Sequence, residues 1–177
     1  MNSRIFSLFL FFLSFGLFTS ASPVATDIEA REDKRALAVV NILADIVADI
    51  NVLGLVKVDA DVFAIVDVFA NAVVALKAAG PVTLSSADKQ TVAKNAATAI
   101  NNSAAAISKA SLTPAIIAAN VKLDAQIKVF LDVLGVVVVG IVPIVAKLIV
   151  NVKLLLTLHL TVIANLFINI LGIVIIL

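Results

Sequence analysis

Few residues in this chain could do chemistry, and their spacing does not assemble them. The one histidine, His159, stands between Leu158 and Leu160, and there is no cysteine. One imidazole without cysteines or an acidic neighbour does not make a zinc site. Nor does it complete a nucleophile–base–acid set. From Ala36 onward the closest carboxylates, Asp59 and Asp61, are two positions apart, so on a helix they do not face each other, and they lack the spacing of a calcium loop. Aspartates brought together only by folding are the one carboxylate chemistry the sequence leaves open. Lysines are scattered singly and no phosphate-binding glycine loop is present, which excludes a nucleic-acid patch. The expectation is a non-enzymatic protein with no metal, no cofactor and no nucleic-acid partner.

What remains is apolar surface, and it is concentrated in the tail. After Asp132 there is no acidic residue, and the run from Leu154 to Leu177 has no formal charge if His159 is neutral. A run of that length could cross a bilayer core as a helix, which takes about 20 residues, or be buried on nearly all sides. Placed on one helix, Lys147, Asn151, Thr157, Thr161, Asn165, Asn169 and Gly172 share a stripe. Leu156, Ile163, Phe167 and Ile170 are therefore candidates for an apolar contact surface or for core. The stretches 136–142 and 172–177 are rich in β-branched residues and could equally be strand or aggregation segments.

Composition agrees with this emphasis. The 177 residues are 62% hydrophobic, against about 45–50% in globular proteins, and the net charge of +1 gives no steering toward an anionic polymer. The amino terminus reads as a secretory leader over 1–21. Arg4 precedes an apolar core at 5–18, and Thr19 and Ala21 are placed for cleavage after Ala21. Residues 22–35 are polar and end in the dibasic pair Lys34-Arg35, the pattern of a pro-segment whose removal would start the mature chain at Ala36. A retained anchor, and a disordered lead or first helical turn, are the alternatives.

The elements that would carry these residues read as helices. Over 36–57, Asn41, Asp45 and Asp49 share one face and Val40, Ile42, Leu43, Ile46, Val47, Ile50 and Leu53 the other, with Gly54 as a bend. A second helix over 58–79 ends at Gly80-Pro81. Ser85 with Asp88 caps an Ala-rich helix reaching about Ala110, whose apolar line is thin. Asn101-Asn102-Ser103 makes Asn101 a possible glycosylation site. Thr113-Pro114 opens a helix to Gly135. Gly140 and Pro143 then interrupt the chain before one long final helix. The stretch 56–69 resembles 121–134, with Asp59 matched to Asp124 and Asp67 to Asp132; duplication and convergent patterning would look alike.

The leader, the dibasic segment, VVNILADIVADINVLG (39–54), VFANAVVALKAAG (68–80) and SADKQTVAKNAATAINNSAAAISKA (86–110) together resemble the fungal cell-wall mannoproteins that include hydrophobic surface-binding protein A. The resemblance covers about 36–135. It implies a secreted, non-catalytic helical bundle that adsorbs to hydrophobic surfaces or carries lipid. The tail departs from it, being far more apolar than a typical closing helix, and a Ser/Thr-rich wall linker is missing.

The expected fold is therefore all-α, a small bundle of four or five helices with a very apolar C-terminal helix. Residues 36–135 form the amphipathic region, and 136–177 complete the core or contact membrane. The expected function is binding of hydrophobic surface, lipid or fatty acid at the cell wall or extracellular face. A membrane-anchored protein spanning the bilayer with its last helix, or one that self-associates, is the alternative.

Overall fold

The computed structural model describes the backbone of residues 23–172 and side chains from residue 28 onward. The chain divides between Lys34 and Arg35 into two compact units. In the first, the described residues are helical, and every side chain from Ile28 to Lys34 is exposed. The second holds the core.

Seven helices are seen among the described residues: α1 (Pro23–Leu53), α2 (Asp59–Ala79), α3 (Ser86–Ile107), α4 (Pro114–Val137), α5 (Val142–Lys147), α6 (Val152–Thr157) and α7 (Thr161–Leu171). In α1 the buried line Val39, Leu43, Ile46 and Ile50 follows helical spacing, and Asn41, Asp45 and Asp49 occupy the exposed side as the pattern predicts. Gly54, at φ 68°, turns the chain where a side chain would be strained. Asp61 accepts from the amides of Lys57 (2.7 Å) and Val58 (3.1 Å), fixing the entry to α2. Gly80 at φ 71° ends α2. Ser85 and Thr113 cap α3 and α4 by accepting from Asp88 and Ile116 amides, and Pro114 opens α4.

Helices α2 and α4 run side by side in the same direction. Lys122 lies 4.9 Å from the Phe63 ring centre near their starts, Phe69 meets Phe130 edge-on at 5.2 Å, and the Val82 amide donates to the Val137 carbonyl beyond their ends. The two stretches that resemble each other thus lie on neighbouring helices. Their matched aspartates differ in setting, however: Asp59 is in the first turn of α2 and Asp124 is buried inside α4. Helix α3 is more central than its thin apolar line suggested. Val92, Ala93, Ala96, Ala97, Ala99 and Ile100 are all buried, because small side chains let neighbouring backbones come close.

The long closing helix does not form, which corrects the expected four- or five-helix bundle with an apolar C-terminal helix. The tail folds back in three short pieces, α5, α6 and α7. Asn151 ends one connection by capping α6, accepting from the Leu154 amide. His159 adopts φ 62° between α6 and α7. A straight helix carrying this many Leu, Ile and Val would leave much of its circumference in water. Broken and wrapped against α3 and α4, the segment buries Val145, Leu155, Leu158, Ile163 and Phe167. Among the described residues, the two helices long and apolar enough to cross a membrane lie nearer the N-terminus, at Ile28–Leu53 and Asp59–Ala79.

Candidate apolar contact surfaces and the docking of the tail

From Leu148 onward the tail is held by three polar side chains of α3 and α4 that reach its backbone. Asn101 on α3 donates to the Leu148 carbonyl (3.2 Å) and accepts from the Val150 amide (3.3 Å). Asn120 on α4 donates to the Leu158 carbonyl at 2.9 Å. One turn later, Asp124 accepts from the amides of Val162 (2.7 Å) and Ile163 (2.9 Å) at the start of α7, where exposed helix N–H groups favour an anion. Asn120 and Asp124 are both buried. Burial pushes the Asp124 carboxyl above its ordinary value, and the backbone amides of Ile163, Val162 and Thr161 oppose that rise. These two residues were missed as tail ligands. The signal was present: they are spaced i,i+4 and fall in line with Ile116, Leu123 and Ile127, on the face of α4 that is otherwise apolar.

The residues singled out in the tail separate by this docking. Ile163 and Phe167 are core, while Leu156 and Ile170 are half-buried against it. The supposed polar stripe is dispersed, since Lys147, Asn151, Thr157 and Thr161 lie on or beside different helices. His159 is exposed between buried Leu158 and Leu160. Among the described residues no group of three or more His, Cys, Asp or Glu could hold a metal ion. Asn101 is half-buried and its amide nitrogen already serves the tail, so a glycan on that atom would compete with the docking of Leu148. Lys34 and Arg35 are exposed on α1, whereas Ala21 lies outside the described residues.

Exposed apolar side chains gather at two ends of the helices, while Val74, Val121, Val129, Val150 and Val162 are exposed singly elsewhere. At the C-terminal ends of α2 and α4, Lys77, Gly80, Pro81, Asp132, Val133, Val136 and Val137 line an open groove of about 370 Å³. Its wall is mostly valine and proline; Val136 is 68% exposed, and Val139 on the following turn is 79% exposed. Asp132 on the rim is paired with Lys128. At the opposite end the α1–α2 corner carries Val52, Leu53, Leu55 and Val58, with Val52 86% exposed. Leu112, in the connection from α3 to α4, is exposed at this same end. A hydrogen bond of 2.8 Å from Asn102 to Asn51 ties the two corners together.

No known protein family, no curated protein and no solved structure matches this chain, so the resemblance to the hydrophobic surface-binding mannoproteins rests on the quoted sequence patterns alone.

Proposed function

We propose that this is a secreted, non-enzymatic protein that binds apolar surfaces or lipid through its folded exterior, at the cell wall or extracellular face. The observation that carries the reading is the aliphatic surface left in water at both ends of the bundle. A large valine side chain is inexpensive to expose singly, but clusters of them mark contact sites in soluble proteins. The groove at Pro81, Val133 and Val136 suits a short apolar chain or a flat apolar surface, since its volume falls in the range of small-molecule sites. The amino-terminal leader supports secretion.

This reading predicts that the folded chain adsorbs to hydrophobic beads in proportion to its exposed valines. Replacing Val136 and Val139 with Ser removes apolar area without touching the buried set. Bead adsorption should fall while the helical circular dichroism spectrum is unchanged. Parent protein that stays in solution with beads in excess would contradict the reading.

A further inference from the structure

We infer that Asn120 and Asp124 form a proton-dependent latch on the tail, in which the Asp124 carboxyl docks α7 in its acid form and donates its proton to the Asn120 Oδ1. The latch lies inside the bundle and is independent of what the exterior binds.

The two side chains stand one turn apart on α4, at the i,i+4 spacing that makes neighbours on a helix surface. Both are out of water, at 0% and 2% exposure. Asn120 uses its amide nitrogen on the Leu158 carbonyl (2.9 Å), which fixes the orientation of the group. Its Oδ1 is buried with no hydrogen-bond donor among the described residues. The nearest tail amides, of Val162 and Ile163, are already given to Asp124. A buried acceptor left unpaired is costly, and an ionised Asp124 would only set further acceptors beside it. The acid form has an O–H to give, and its other oxygen still accepts from α7.

Between these contacts the tail is held against its own preference. Leu158 is gripped through its carbonyl, Val162 and Ile163 through their amides, and His159 between them takes φ 62°. A non-glycine residue in the left-handed region persists where its surroundings over-determine it. No Gly or Pro lies between Asn151 and Leu171, so the break between α6 and α7 depends on the latch.

No other charged side chain is buried among the described residues. Helix α7 has no titratable residue, and Lys147 of α5, Lys153 of α6 and His159 before α7 are exposed. On α4, Lys128 pairs with Asp132 and Lys122 lies over the Phe63 ring. On α2, Asp61 is held by backbone amides at the helix start, Asp59 is half-buried, and Asp67 and Lys77 are exposed. Burial therefore dominates at Asp124, raising the carboxyl above 3.8 against the opposing amides of Ile163, Val162 and Thr161. With the folded value raised, the latch is complete in acid and weakens as pH rises through that value.

The test is NMR of the full chain, labelled with 13C and 15N, against pH, with circular dichroism as the folding control. The Asp124 carboxyl signal, assigned by its loss in Asp124→Asn, should titrate with a midpoint above 3.8. Exchange of the α7 amides, corrected for the intrinsic effect of pH, should quicken by up to about tenfold for each pH unit between the ordinary midpoint and the observed one. Asp124→Asn offers an N–H to Asn120 at every pH, so its α7 amides should stay as slow as the parent's in acid, while those of Asp124→Ala should be fast throughout. Asn120→Leu keeps the site dry and removes the acceptor, so it should lower the Asp124 midpoint. His159→Asn, which tolerates the left-handed turn, should keep the parent's pH dependence. A parent midpoint at or below 3.8 overturns the latch, as does an Asp124→Asn tail that exchanges as fast as that of Asp124→Ala. An unchanged or raised midpoint in Asn120→Leu overturns Oδ1 as the partner of the proton. Loss of the pH dependence in His159→Asn overturns Asp124 as the group that titrates.

Discussion

Asp124 is the buried carboxylate of the fold, and its setting has an electrostatic consequence. Its carboxyl is raised above the ordinary value of 3.8 by burial, even though it accepts amides at the start of α7. A raised folded value means that its contribution to stability is fully present below the unfolded pKa and is lost as pH rises through the folded value. Asp61 runs the other way. The Lys57 and Val58 amides lower its pKa, so its stabilisation is present above the ordinary value and lost as pH falls through the lowered one. Thermal melts against pH should therefore separate the two. Asp124→Asn should remove a component that declines as pH rises above the ordinary carboxyl range, and Asp61→Asn one that declines toward strong acid. Unchanged pH profiles in both variants would contradict the assigned environments. Asp124→Ala leaves the Val162 and Ile163 amides unpartnered and should cost about 1–3 kcal/mol in denaturant unfolding.

At the scale of elements, the docked tail makes its own prediction. Ile163 and Phe167 are fully buried, so Ile163→Asp places an unpaired charge in the core and should cost more than about 3 kcal/mol. The half-buried Leu156→Asp should cost less, and denaturant midpoints will rank the two; equal, small effects would mean the tail is not core. Much of this level was legible in the sequence. Gly54, Gly80-Pro81, Ser85 and Thr113-Pro114 all mark real ends, because each is a local backbone or capping event that neighbouring residues decide. The tail was not legible, because its breaks depend on partners far away in sequence. Asn101, Asn120 and Asp124 hold its backbone from 38 to 49 positions away, and no local rule places a stop at His159. Uniform hydrophobicity erased the periodicity that would have shown which side of each short helix faces inward. The exposed groove was equally hidden, since Val133, Val136 and Val137 differ in exposure but not in type.

For the whole molecule, the division at Lys34–Arg35 falls within the dibasic pair, and the first buried side chain among the described residues is Val39. Removal of the segment through Arg35 would take away none of the described buried side chains. Amino-terminal sequencing of secreted protein should find Ala36; a start at Ser22 or Pro23 would contradict the second cleavage. The central claim is that the short helices α6 and α7 of the tail are structural and that contact is made by surfaces formed elsewhere. Hydrogen exchange followed by mass spectrometry, with and without lipid vesicles, tests it most directly. The account predicts that 152–171 is slow to exchange in both conditions, because α6 and α7 are docked on the bundle, and that protection rises on vesicle binding at the exposed ends, 51–58 and 133–139. Fast exchange of 152–171 in the free protein, with protection gained there and not at those ends when vesicles are added, would contradict it.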